Sequence, residues 1–164
     1  MKFKNRKKVR HITLSATIAA LYVAMTLISA MFGLSSGVIQ IRISEALCVL
    51  TVFTPAAIPG LTVGCLVANL ITGANVLDVV FGTLATLIGA IGGRMLRNKK
   101  WLVTVPTVIA NTVIIPLVIV YGFGIVDVAL PLVALSVFAG EFISATLLGT
   151  GLMTVLKRYS FKFN

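Results

Sequence analysis

Residues 46–77 read ALCVLTVFTPAAIPGLTVGCLVANLITGANVL, a stretch without a single Asp, Glu, Lys or Arg. A helix needs roughly 20 apolar residues to cross a bilayer, so this stretch can hold one long crossing or two short ones. Pro55, Pro59 and Gly60 favour a break, since a proline removes a backbone hydrogen bond from a helix interior. The stretch therefore predicts either one kinked helix or two helices joined by a turn at 54–60.

The rest of the chain has the same apolar character. Hydrophobic residues make up 59% of the 164 residues and charged residues only 11%, whereas a soluble domain carries about 25% charged residues. The stretches 11–41 and 101–126 also lack charges. We expect an all-α integral membrane protein, because a membrane β-barrel would show short alternating segments. Six spans would use about 120 residues and leave little room for a soluble domain.

The net charge of +10 comes from basic residues concentrated in three places, at 2–10, 94–100 and 157–162. Each cluster flanks an apolar run, and the sequence has no polar domain in which basic and aromatic residues are interleaved, so nucleic acid is not expected as a partner. Lys and Arg are retained on the cytoplasmic side of membrane proteins. One crossing within 46–77 would place the second cluster outside, and two crossings place it inside.

We therefore predict six spans in one membrane domain, residues 1–164, with both termini cytoplasmic in a lipid bilayer. The spans are about 12–32, 44–54, 57–73, 76–96, 101–121 and 132–156.

All four acidic residues fall in the outer half of this topology, and of the fourteen basic residues only Arg42 joins them. Glu141 lies roughly 10 Å inside the sixth span, where a carboxylate costs about 2.5–3.5 kcal/mol and is a functional candidate. A purely structural carboxylate is the alternative. Glu45 and Asp78 open the second and fourth spans and could equally be helix N-terminal charges. Asp127 is expected in a solvated loop.

Two amides join these carboxylates, Asn69 in the third span and Asn111 in the fifth. Together the five residues predict one outward-facing pocket rich in acceptors, suited to a small-molecule substrate with many N–H donors or a positive charge. The amides could instead only bond neighbouring helices. Arg42 ends the alternating segment 37–42, which could form a lid; the side chain could also pair with Glu45 or simply lie at the interface.

Small residues recur at intervals of four in several spans and predict close helix contacts. They are Ala16, Ala20 and Ala24 in the first span, Gly60, Gly64 and Ala68 in the third, and Gly89 and Gly93 in the fourth. The alanine face could contact another helix of this chain or a partner protein.

Motifs for enzymatic chemistry are absent from the sequence: it contains no GxxxxGK[ST], HExxH or GxSxG. His11 lies beside the basic N-terminus, while Cys48 and Cys65 stand within spans as small apolar residues. One histidine and two separated cysteines do not make a metal site, so no metal, cofactor or catalytic residue is expected.

Several segments resemble the QueT family of queuosine-precursor uptake proteins, which are S components of energy-coupling factor (ECF) transporters. The resemblance rests on Arg42-Ile43-Ser44-Glu45-Ala46-Leu47, Gly64-Cys65, Ala68-Asn69, the run DVVFGTLATL at 78–87, and Gly140-Glu141. It covers nearly the whole chain. One departure is at 51–54, where the family would have a proline sooner after the leucine.

The resemblance implies a six-helix S-component fold in a bacterial cell membrane, with an external pocket closed by the first loop. It further implies a transmembrane coupling protein and two cytoplasmic ATPases as partners, with the alanine face as the docking surface. The implied ligand is a 7-deazaguanine such as 7-aminomethyl-7-deazaguanine. Glu141 would read the guanine N–H edge, Asp78 or Glu45 would neutralise the ammonium, and Asn69 and Asn111 would orient the ligand.

Three other functions stay open at this point. The chain could be an S component for another vitamin-like nutrient, a solitary carrier or channel, or a structural membrane subunit without a ligand.

Overall fold

The structure is a computed structural model that describes residues 2–34, 41–122 and 129–158. Every regular element in these ranges is helical, which confirms the all-α prediction. The described residues form six main helices: α1 (Lys2–Met31), α2 (Ile43–Phe53), α3 (Ala57–Ile71), α4 (Val76–Met95), α5 (Val105–Leu117, extended by a π-helix at Val118–Gly122) and α6 (Leu130–Arg158).

Four of the helical segments are long and apolar enough to cross a membrane: α1, α4, the Lys100–Tyr121 segment that contains α5, and α6. The other two helices are shorter. Helix α3 has 15 residues, about 22 Å of length against a hydrocarbon core of about 30 Å. The break between α2 and α3 falls at Pro55, as predicted for residues 46–77.

Two helix starts differ from the predicted spans. Helix α1 already begins at Lys2, because the basic residues before position 12 are good helix formers and extend the helix beyond its apolar part. Helix α5 begins only at Val105, since Lys100–Leu102 forms a separate 3-10 turn. Pro106 stands in the first turn of α5, the part of a helix that tolerates proline.

The turn between α2 and α3 has hydrogen-bond donors for its backbone carbonyl groups. The Arg94 guanidinium donates to the carbonyl oxygens of Thr51 at 2.9 Å and Val52 at 3.1 Å. The Ser15 hydroxyl donates to the Ala56 carbonyl oxygen at 3.0 Å. Irregular backbone at membrane depth is tolerated only where its polar groups are satisfied inside the protein. These donors therefore permit the break.

Close contacts of two glycines fix the direction of α3 against α1. A Cβ on Gly60 would lie 2.8 Å from the carbonyl oxygen of Ser15, and one on Gly64 would lie 2.7 Å from the Cβ of Tyr22. Residue numbers increase together along the two helices, so α1 and α3 are parallel and α2 returns between them. These contacts show that the predicted small-residue stripe of α3 packs inside the bundle.

The second glycine stripe joins α4 to α5 in antiparallel fashion. A Cβ on Gly89 would lie 2.7 Å from the Cα of Thr107, and one on Gly92 would lie 2.6 Å from the Cβ of Pro106. Successive helices thus reverse direction through the bundle. The start of α1 and the end of α6 consequently lie at one end, which we call the terminal end. That this end faces the cytoplasm stays a prediction.

Replacing Gly89 with alanine should lower the free energy of unfolding by about 1–3 kcal/mol, the usual cost of overpacking, because the added methyl group meets the backbone of Thr107. Thermal unfolding of the purified protein in detergent measures the effect. Gly151→Ala is the matched control, since a Cβ at that helical position meets nothing within 4 Å. Equal unfolding temperatures for the two variants would contradict the assigned contact.

Candidate substrate-binding site

A buried polar seam joins the middle of α1 to the start of α2. Three hydrogen bonds form it: the Tyr22 hydroxyl donates to Glu45 Oε1, the Thr26 hydroxyl donates to Ser44 Oγ at 2.8 Å, and the Ile43 backbone N–H donates to Ser29 Oγ at 3.0 Å. The 3-10 geometry of Ile43–Val49 places both Ser44 and Glu45 against α1. The seam holds the Glu45 carboxylate inside the bundle, where only 3% of the residue is exposed.

A small cavity adjoins this seam where α2, α5 and α6 meet. It measures about 20 Å³ and is lined by Arg42, Asn111, Ile115, Val137 and Glu141. A volume of this size holds about one water molecule. Arg42, Asn111 and Glu141, three of the six predicted binding residues, thus face the same space.

Two polar atoms of the cavity residues have no hydrogen-bond partner within the described ranges. They are Glu141 Oε2 and Asn111 Nδ2, on residues exposed by only 9% and 4%. Buried polar side-chain atoms in proteins are nearly always paired. The Asn111 amide is close enough to act on the Glu141 carboxylate as a donor, but the two groups do not form a well-aligned hydrogen bond. Both are therefore suited to a ligand that carries a donor and an acceptor.

Arg42 connects the two buried carboxyl groups electrostatically. Its guanidinium attracts the carboxylates of Glu45 and Glu141, and these two carboxylates repel each other. The backbone of Arg42 is fixed to α6, because its N–H donates to the Ser144 hydroxyl at 3.1 Å. The site therefore combines two carboxyl groups with one guanidinium.

A π-helical segment begins directly after Glu141, at Phe142–Leu148. A second one, Val118–Gly122, follows Pro116 at the C-terminal end of α5. π-helical turns insert an extra residue and often occur at functional sites. In α6 the extra residue changes the face on which the following residues lie, and Ser144 then reaches the backbone of Arg42.

Asn69 and Asp78 do not line the cavity. The Asn69 amide donates to the backbone carbonyl oxygen of Asp78 at 3.3 Å and to Cys65 Sγ at 3.6 Å. It therefore joins α3 to α4, which is the packing alternative considered for the amides. The Asp78 side chain is half-buried and within electrostatic range of Arg42. Asp127 and residues 37–40 of the predicted lid lie outside the described residues.

Sequence reasoning missed the side chain that bonds Glu45, Tyr22. It also missed the hydroxyl groups that hold the backbone and side chains around Arg42, Ile43 and Ser44, namely those of Thr26, Ser29, Ser44 and Ser144. The sequence contained a pattern that could have identified three of these residues, those on α1. Positions 22, 26 and 29 follow one another at four and three residues, the spacing that places polar groups on one face of a helix. That stripe stands opposite the alanine face.

The alanine face is on the outside of the bundle. Ala16, Ala20 and Ala24 are all exposed, whereas Ile18 and Tyr22 on the other side of α1 are 2% and 1% exposed. The alanine face therefore does not pack against another helix in the described part of this chain, which was one of its two predicted roles. The face remains available to a partner.

The sequence model of a family described as QueT transporter matches residues 12–158. The chain belongs to the QueT transporter family. The family resemblance and the multi-pass helical membrane architecture are thus confirmed. A relative in Lactococcus lactis subsp. cremoris (strain MG1363), named Queuosine precursor transporter QueT, is 36% identical over 83 residues. The alignment covers 51% of this chain and 48% of the relative, so it spans about half the length of each. No solved structure matches the chain.

Proposed function

We propose that this chain is the substrate-binding membrane subunit, or S component, of an ECF-type ATP-driven importer for a queuosine precursor. The proposed ligand is 7-aminomethyl-7-deazaguanine or a related 7-deazaguanine. Membership of the QueT transporter family and the name of the Lactococcus relative support this class of substrate. The observation that carries the proposal is the pair of unpaired buried atoms, Glu141 Oε2 and Asn111 Nδ2.

The chemistry of the ligand matches that of the cavity. A guanine edge offers adjacent N–H donors beside a carbonyl acceptor, and Glu141 with Asn111 offers a complementary acceptor and donor. The aminomethyl group is cationic, and either Glu45, whose charge acts on Glu141, or Asp78, whose charge acts on Arg42, would neutralise it. Charge-assisted hydrogen bonds of this kind are roughly twice as strong as neutral ones. Asn69 supports the site by holding α4 against α3.

Binding requires a conformational change at the cavity. A fused two-ring base is several times larger than the space of about 20 Å³ between Arg42 and Glu141. Arg42 is the side chain best placed to move, because it stands at the end of the first loop and is partly exposed. Its displacement would open the cavity to the outer side, and its return would close the first loop over the ligand.

Transport would use partners that supply energy. We place a transmembrane coupling protein on the exposed alanine face of α1 and two ATPases on the cytoplasmic side of a bacterial cell membrane. The chain would act as a single membrane domain with both termini cytoplasmic. In agreement with that topology, the start of α1 and the end of α6 share the terminal end of the bundle with Arg94, the first residue of the second basic cluster.

Calorimetric titration of the purified protein tests the proposed substrate. We expect binding of 7-aminomethyl-7-deazaguanine at micromolar concentration or below. The neutral 7-cyano analogue should bind more weakly, by roughly tenfold, because it lacks the charge that a buried carboxylate would pair with. Riboflavin and thiamine serve as controls for other nutrients. Binding of a vitamin without binding of either deazaguanine would refute the proposed ligand, and uptake without any ATPase would refute the ECF assignment.

A further inference from the structure

An apolar groove runs between α5 and α6 on the outside of the bundle, remote from the alanine face of α1. It encloses about 360 Å³. Its walls are formed by Val105 and Ile109 from α5 and by Phe138 and Phe142 from α6. The two phenylalanine rings are stacked with centroids 6.0 Å apart. The walls extend along about two turns of α6, roughly 12 Å, and about one turn of α5, a surface suited to an acyl chain.

The floor of the groove is closed. Thr104 and Thr146 share a hydrogen bond of 3.1 Å across the two helices, and Thr104 itself is 1% exposed. The space is therefore a furrow on the lipid-facing surface, separate from the cavity of Glu141, whose side chain points to the other side of α6.

Trp101 stands at the end of the groove that lies towards the terminal end of the bundle. It is 84% exposed and immediately follows Lys100 in the 3-10 turn before α5. Tryptophan is enriched at the level of lipid headgroups, where its ring is apolar and its N–H is polar. Trp101 therefore indicates where the headgroup region meets the groove.

Two lysines lie at this end, Lys100 and Lys157, and no acidic residue among those that the structure describes stands beside them. Lys157 lies in the last turn of α6, and the strongest charge acting on it is that of Lys100, which repels it. The carboxyl groups in the described ranges are Glu45, Asp78 and Glu141, and none of them counters this repulsion. Two cations held close without a counter-charge would be stabilised by an anion between them.

We propose that the groove between α5 and α6 binds an anionic phospholipid. Its acyl chain lies against Phe138, Phe142 and Ile109, and its phosphate lies between Lys100 and Lys157 beside Trp101. Basic pockets between membrane helices bind acidic headgroups in this way. A zwitterionic lipid can fill the same furrow but lacks the net charge that the lysine pair requires.

The single tryptophan of the chain allows a direct test, since Trp101 is its only source of indole fluorescence. The full chain in detergent is titrated with phosphatidylglycerol brominated in its acyl chains, and separately with phosphatidylcholine brominated in the same way. Bromine quenches indole fluorescence on contact. We expect half-maximal quenching by phosphatidylglycerol at about a tenfold lower mole fraction, from the attraction of two lysines.

Paired variants separate the site from general surface charge. Lys100→Gln/Lys157→Gln should make the two lipids quench equally. Lys7→Gln/Lys8→Gln removes the same charge from exposed positions of α1 and should keep the preference. Equal quenching of the wild type by both lipids would overturn the proposal. So would loss of the preference in the α1 variant, or no quenching by either lipid, the last of which would indicate that protein covers the groove.

Discussion

Replacing Ala20 with tryptophan is expected to abolish ATP-driven uptake while leaving ligand binding unchanged. Ala20 is the middle residue of the exposed alanine face, and small side chains there allow a partner helix to approach closely. A tryptophan would hold that helix away. The candidate binding site is on the opposite side of α1, where Tyr22 contacts Glu45, and is not touched by the change. Uptake of labelled substrate into cells that also produce the coupling protein and both ATPases measures the loss.

Val113→Trp is the matched control for this variant. Val113 is 57% exposed on α5, so the change places the same bulky side chain on another lipid-facing helix. We expect uptake at the wild-type level for this control. Uptake that survives Ala20→Trp would show that the partner docks elsewhere, whereas loss of uptake in both variants would point to a general effect of surface tryptophan.

Exchanging Glu141 for glutamine should weaken binding of 7-aminomethyl-7-deazaguanine by roughly 10- to 100-fold, the range for loss of a charged hydrogen bond. Glutamine keeps the shape of the side chain but removes the negative charge. It also allows an amide N–H to face the N–H groups of the ligand. Calorimetric titration gives the change in affinity, and thermal unfolding of the same sample reports on folding.

Ser136→Ala tests whether removing any polar group from α6 weakens binding to the same extent. Among the described residues the Ser136 hydroxyl bonds to the carbonyl of Val133 in its own helix, at 2.8 Å, and it does not line the cavity. Its removal should leave affinity unchanged. A Glu141→Gln protein that unfolds at lower temperature but binds the ligand normally would show Glu141 to be a structural carboxylate.

The helices could be predicted because their signals are local. The uncharged stretches, Pro55 with Pro59, and the distribution of basic residues were sufficient for six helices and for the break between α2 and α3. The π-helices could not be predicted, since they depend on how α5 and α6 pack. No residue pattern in 142–148 differs from that of an ordinary apolar helix.

The sequence was sufficient to predict which charged residues are buried. It was only partly sufficient to predict which of them lie next to each other. A carboxylate in an apolar helix is costly wherever it points, so Glu141 was identifiable from sequence alone. Which residues meet across helices depends on their rotation about the helix axis. Arg42 and Asn111 turned towards Glu141, whereas Asn69 turned towards the backbone of α4. Only the folded chain distinguishes these cases.

The hydrogen bonds of Arg94 have a consequence for biosynthesis. Its partners Thr51 and Val52 precede it by 43 and 42 residues, so they leave the ribosome well before it does. Until α4 has been synthesised, the carbonyl groups at the turn lack this donor, and their exposure to lipid would be costly. Helices α2 and α3 are also too short to be stable insertion units alone. We therefore expect the hairpin to reach its final depth in the membrane only after the fourth helix has emerged, so that α2, α3 and α4 insert together.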